Sequence, residues 1–220
     1  IAITDHFYQN GDFIDKKNEI IRMSHASEFK TRDEIKIISG GEFNLNQLLD
    51  KDVNVRKIYK NVKWRPIGLH TWFLAPEKVN IEDIPGYFEK AVTSKDIINP
   101  TAFCHIEREL YKCKGSENNK KVKNALYEIV DIAIQYKLLL EVNELSIINN
   151  EVGGIARMKI WLNRAKEKNA MIYLGSDAHF CEQVGNFKNA INLINEIGIS
   201  KENILNTDEN MKLFNNDFVI

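Results

Sequence analysis

The sequence predicts an α/β fold built on a parallel sheet. Three observations carry that reading: short apolar runs that recur along the chain, helical 3-4 spacing between several of them, and histidines that gather at the ends of the runs. The runs are Ile1–Thr4, Ile35–Glu42, Pro66–His70, Thr101–His105, Leu138–Asn143 and Met171–Ser176. Each is short and largely apolar, as expected of parallel strands covered on both faces.

The elements between them follow in order. Val122, Ala125, Leu126, Ile129, Val130, Ala133 and Tyr136 fall on one face of a helix, as do Ile155, Met158, Trp161, Leu162 and Ala165. Phe187, Ala190, Ile191, Ile194 and Ile197 repeat the pattern, and Gly198 stands where a helix would stop. A last short helix is expected over about 208–214, capped by Asn206 or Thr207. The polar run Lys112–Lys123 reads as a solvated loop leading into a helix.

The totals agree with one domain of 220 residues, 44% hydrophobic. A formal charge of −1 provides no global attraction to nucleic acid or to an anionic membrane. Cys104, Cys113 and Cys181 are widely spaced and odd in number, which favours a reducing cytoplasm over a disulfide framework. No apolar run reaches the length of a membrane span. The chain opens at Ile1 inside an apolar run, so the expectation is that a first strand precedes it in the natural domain.

His6, His70, His105 and His179 lie at or just past strand ends, together with Glu42 and Asp177. Successive positions are separated by one βα unit of about 30 residues, and the last step spans two. In a closed parallel barrel the strand C-termini share one mouth, so these side chains would converge there. Imidazoles and carboxylates without cysteine suit Zn, Mn or Fe, and a carboxylate such as Glu42 can bridge two ions. Any one of these histidines alone is more often a core or surface group than a ligand; the joint placement is what points to metal. His25 reads as ordinary. Alternation along the strand sends Cys104 to the side opposite His105, a packing position. Gly40 and Gly41 mark either a close approach or a bend. Trp72 and Phe73 either wall a pocket or belong to the core.

IAITDH at the start, GGE ending at Glu42, GLH ending at His70, CHIER around His105, LEVN over Leu140–Asn143 and GSDAHFCEQVGNF from Gly175 together resemble the polymerase and histidinol phosphatase (PHP) superfamily. The nearest look is to its stand-alone histidinol-phosphatase-like phosphoesterases, and GSDAH…VG…F is the most specific part. The resemblance implies a distorted (β/α)7 TIM-like barrel with two or three divalent ions on its open face. It implies His6, Glu42, His70, His105, Asp177 and His179 as metal ligands, with Glu42 bridging. His6 and His179 would share one ion, and His70 and His105 another. It implies hydrolysis of a small phosphate monoester, histidinol phosphate or similar, by a metal-bound hydroxide. Asp177 or His179 would relay the proton to the leaving group. Arg108 and Lys112, just past a strand end, either hold the phosphate or repel a wrong substrate, or else are solvated surface groups, and Asn143 is placed to orient substrate or a water beside it. No nucleic acid or membrane partner is expected, and the oligomeric state is not legible.

The sequence departs from the family pattern twice. The family's opening HxH strand is absent, and Ile106-Glu107-Arg108 follows His105 where many members carry a proline. The rival readings are a phosphodiesterase or exonuclease of the same superfamily, and a metal-binding module without catalysis.

Overall fold

The computed structural model describes residues 2–4, 38–45, 62–69, 79–94 and 100–206. Seven short strands lie among them: β1 (Ala2–Ile3), β2 (Ile38–Ser39), β3 (Phe43–Asn44), β4 (Pro66–Gly68), β5 (Ala102–Cys104), β6 (Leu139–Asn143) and β7 (Ile172–Gly175). All pair in parallel, β1 with β2, and the remainder in the order β3-β4-β5-β6-β7. The expected strand over 35–42 takes a different form. Ile38 and Ser39 pair with β1 on one side, whereas Gly40 bridges Trp64 and Phe43–Asn44 pair with β4 on the other. A Cβ on Gly40 would lie 2.8 Å from Thr4 Cγ2 and 3.0 Å from Trp64 Cβ, so glycine leaves the room that Thr4 and Trp64 occupy.

Among the described residues five α-helices cover this sheet: α1 (Ile84–Thr93), α2 (Asn119–Gln135), α3 (Glu144–Asn149), α4 (Gly154–Lys168) and α5 (Lys188–Ile197). The periodic stretches became α2, α4 and α5. Asn118 Oδ1 accepts from Lys120 N and Lys121 N at 3.1 and 3.2 Å and so starts α2. Gly198, at φ +78°, ends α5 with its N–H on Ile194 O at 2.9 Å. Helix α1 is hidden in the sequence by Pro85 and Gly86. Pro85 sits in the first turn, where no intrahelical N–H bond is required, so the helix tolerates it. The polar run 112–123 begins with a bridge between Asn80 and Lys114 and enters α2 at Asn119. The helix expected near 208–214 lies outside the described residues. Among the described residues no helix is long and apolar enough to cross a membrane.

Alternation along the strands gives the sheet two faces. Ile67, Phe103, Leu140, Val142, Ile172 and Leu174 join Phe88, Leu126, Ile129, Trp161 and Leu162 of the helices in one large apolar cluster. Phe88 and Phe103 meet edge to face, their ring centroids 4.6 Å apart. On the other face Trp64, Ala102, Leu139, Tyr173 and Leu205 form a second, smaller cluster. Trp64 and Tyr173 stand 5.0 Å apart although β5 and β6 separate β4 from β7. In a flat sheet those strands would be about 14 Å apart. The sheet therefore curls, and its second face is concave.

Candidate metal centre

The polar groups of the concave face collect at the C-terminal ends of the strands. Their floor is apolar: Ala102, Leu139 and Tyr173 come earlier on β5, β6 and β7. The same parity carries on to Cys104, to Glu141 and Asn143, and to Gly175.

His105 follows β5 with a left-handed backbone, φ +31°. That turn breaks the alternation. The imidazole, 1% exposed, meets Glu42 with Nε2 and Oε1 2.6 Å apart. Cys104 therefore does not lie on the side opposite His105, as alternation alone predicts. One donor atom each from Glu42, Cys104 and His105 falls within 4.8 Å of the others.

Glu141 is buried in the middle of β6. Its Oε2 accepts from His105 N at 3.1 Å and from Asn143 Nδ2 at 3.3 Å. A Cβ on Gly175 would lie 2.0 Å from Glu141 Oε1, so the carboxylate rests directly on that glycine. Asn143 has three tasks. It holds Glu141, donates to Asp177 Oδ2 at 3.3 Å, and caps α3 by accepting from Ser146 N at 2.8 Å.

Asp177 also has a left-handed backbone, φ +49°, and receives Arg108 Nη1 on Oδ2 at 3.2 Å. The turn carrying Arg108 is anchored by α4. Trp161 Nε1 donates to Glu107 Oε2 at 3.0 Å, and Arg157 Nε donates to Glu107 O at 3.0 Å. His179 is exposed, its Nδ1 2.9 Å from Asp177 O, and its backbone N–H donates to Gln183 Oε1 at 2.8 Å. Buried Glu144 braces this loop from the far end, accepting from Asn189 N at 3.1 Å and Ala190 N at 2.7 Å at the start of α5.

Of the residues expected at the site, Glu42 and His105 come together, and Asp177, Arg108 and Asn143 form a second linked group beside them. Glu141 joins the two groups. Lys112 pairs with Glu109, Nζ to Oε2 2.6 Å, and lies over the Tyr111 ring. His6, His25, His70, Trp72 and Phe73 lie outside the described residues. Sequence reasoning passed over Glu141 as a site residue. An ionisable residue inside the run LLLEV was the available signal, because buried acids need a partner or a function.

The electrostatics follow from crowding. Burial raises the Glu141 carboxyl to about 7, with Glu42 and Asp177 adding to the rise. Burial alone would lower the His105 imidazole, but the Glu42 carboxylate more than offsets it and holds the group at about 9. Burial, followed by Glu42 and Glu141, drives the Cys104 thiol well above its ordinary range. Three carboxylates, an imidazole and a thiol are thus packed where little water reaches. Such a nitrogen, oxygen and sulfur donor set fits a divalent cation, whose charge would relieve the mutual repulsion of the acids.

No protein-family model matches the chain. A probable phosphatase of Caldanaerobacter subterraneus subsp. tengcongensis is 34% identical over 79 residues, 36% of this chain and 31% of that protein. One from Clostridium novyi is 33% identical over 82 residues, 37% of this chain and 34% of that protein. One from Proteus mirabilis is 29% identical over 89 residues, 40% of this chain and 36% of that protein. The matched stretch thus spans about a third of the length of these curated relatives. In fold, the chain is similar to histidinol phosphate phosphatase of Lactococcus lactis subsp. lactis, solved with zinc, L-histidinol and phosphate. The TM-score is 0.56 at 15% identity, over 90% of this chain and 82% of that one. That likeness is one of fold.

Proposed function

We propose that the chain is a metal-dependent phosphoric monoester hydrolase of the PHP type, acting on a small phosphate monoester such as histidinol phosphate. The observation that carries the reading is the convergence of Glu42, His105, Asp177 and Arg108 on one concave face at the strand ends. Short matches to probable phosphatases and a fold like that of histidinol phosphate phosphatase support it. Free Cys104, Cys113 and Cys181 accord with a reducing cytoplasm.

His6, Glu42, His70, His105, Asp177 and His179 would hold two or three divalent ions, Zn, Mn or Fe. When bound, such ions supply Lewis acidity, offsetting charge on a phosphoryl group and acidifying water towards neutral pH. The chain's own residues do the rest. Arg108, only part-buried, presents a guanidinium to the mouth of the site and grips a phosphoryl oxygen. Asn143 and Arg108 fix the Asp177 carboxylate, so its orientation survives binding of an anion. His179, tied through Nδ1 to the Asp177 carbonyl, is left with Nε2, which either joins an ion or, in place of that, passes a proton to the leaving alkoxide. Glu141 keeps the His105 backbone and Asn143 in place from below.

The test is phosphate release from histidinol phosphate and from p-nitrophenyl phosphate by chelator-treated protein, before and after Zn, Mn or Fe(II) is restored. Turnover that returns with the ion is expected. Bound ions with no release from either ester would overturn the reading. Cleavage of single-stranded DNA in their place would make the chain a phosphodiesterase.

A further inference from the structure

Cys104 is the buried nucleophilic group that the reading above does not use. It is 1% exposed, yet it belongs to neither apolar cluster, whereas the other buried thiol, Cys113, packs inside the large one. A thiol kept only for packing would be expected among apolar neighbours. Cys104 instead lies on the acid-lined side of β5, the face it shares with Glu141, and the left-handed turn at His105 brings the imidazole back towards it. Its Sγ, a Glu42 carboxylate oxygen and a His105 ring nitrogen are within 4.8 Å of one another. A tetrahedral ion with bonds of 2.0 to 2.3 Å spaces its ligand atoms by about 3.3–3.8 Å, so small side-chain adjustments bring all three onto one cation.

We propose that Cys104 Sγ joins Glu42 and His105 as a ligand to a divalent cation and biases that position towards thiophilic ions, zinc or cobalt, over manganese and magnesium. The inference rests on the metal-dependent reading for the presence of the ion and adds a sulfur donor to an otherwise nitrogen and oxygen set. On binding, the S–H bond breaks, the sulfur lone pair forms the bond to the ion, and the proton leaves to solvent; nothing is oxidised or reduced. A soft thiolate strengthens the hold on zinc far more than on manganese or magnesium, which prefer oxygen donors.

The test is a cobalt(II) titration of metal-stripped protein in which exposed Cys181 is replaced by serine, followed by optical absorption. The expected result is a thiolate-to-cobalt charge-transfer band in the near ultraviolet together with visible ligand-field bands. Cys104→Ser should abolish the first and keep the second. It should also reduce the preference for zinc over manganese by about tenfold or more, since loss of even an outer-shell partner costs 10- to 100-fold in affinity. The spectrum of the parent protein is decisive by itself if the serine variant folds poorly. Visible bands without charge transfer would overturn the sulfur ligand and leave the metal-dependent reading standing. No bound cobalt at all would overturn both.

Discussion

Alternate side chains of β5, β6 and β7 meet two different environments. Phe103, Leu140, Val142, Ile172 and Leu174 pack under the helices in an almost wholly apolar layer. Ala102, Leu139 and Tyr173 on the concave face are also apolar, but Cys104, Glu141, Asn143 and Gly175 further along it are not. Both faces are dry, so burial does not distinguish them. The difference is in what burial does. Under the helices it removes hydrocarbon from water and stabilises the fold. At the concave mouth it strips water from carboxylates and opposes folding unless hydrogen bonds or a cation compensate. The helix-covered face accordingly stabilises the domain, and the concave mouth is held in shape by Glu141 and Asn143 so that its acids stay together.

The comparison can be broken most directly at Phe103. Phe103→Ala removes a fully buried ring that meets Phe88 edge to face and should cost about 3–5 kcal/mol, read as a lower urea midpoint. A loss below 1 kcal/mol would mean that the helix-covered face is not the main source of stability. Asp177→Ala should do the reverse. Turnover of a monoester should fall by about 10²–10³, or roughly 3–4 kcal/mol of transition-state stabilisation, with the urea midpoint little changed. Equal losses of stability in both variants would erase the division between the faces.

Glu141 sharpens the contrast through pH. Its folded-state carboxyl titrates at about 7, above the ordinary 4.5, because of burial and then the neighbouring acids. A raised carboxyl contributes stability that is present below about 4.5 and is lost as pH rises through about 7. In metal-free protein, Glu141→Gln should therefore gain on the parent between pH 5 and pH 8, by up to roughly 3 kcal/mol. Urea midpoints of the two proteins at both pH values check this. A difference that does not change with pH would show that Glu141 is not desolvated at the cost inferred from its burial.

Much of the frame was readable before any coordinates. The 3-4 spacing of Val122 to Ala133, of Met158 to Ala165 and of Ala190 to Ile194 marks α2, α4 and α5, since long amphipathic helices carry a strong local period. Helix α1 was not readable, because Pro85 and Gly86 count against a helix unless the position of the first turn is known. Six-residue α3 was too short to show a period, and its start depends on the Asn143 side chain. At the site, Glu42, His105, Asp177, Arg108 and Asn143 were picked out from their positions at strand ends. Alternation separates Cys104 from His105, and the structure brings them to one side, because alternation holds only while the backbone stays extended and at His105 it does not.

By itself the sequence determined the parallel α/β plan, the places of its longest helices and the gathering of acids and histidines after strands. These depend on periodicity and composition within a single segment. Only the tertiary structure decided that Glu141 sits on Gly175 while holding His105, that Asn143 links Glu141 to Asp177, and that Cys104 shares a pocket with Glu42 and His105. Those pairings join residues distant along the chain. They follow from the curl of the sheet and two left-handed backbone turns, at His105 and Asp177, which no local pattern of side chains encodes.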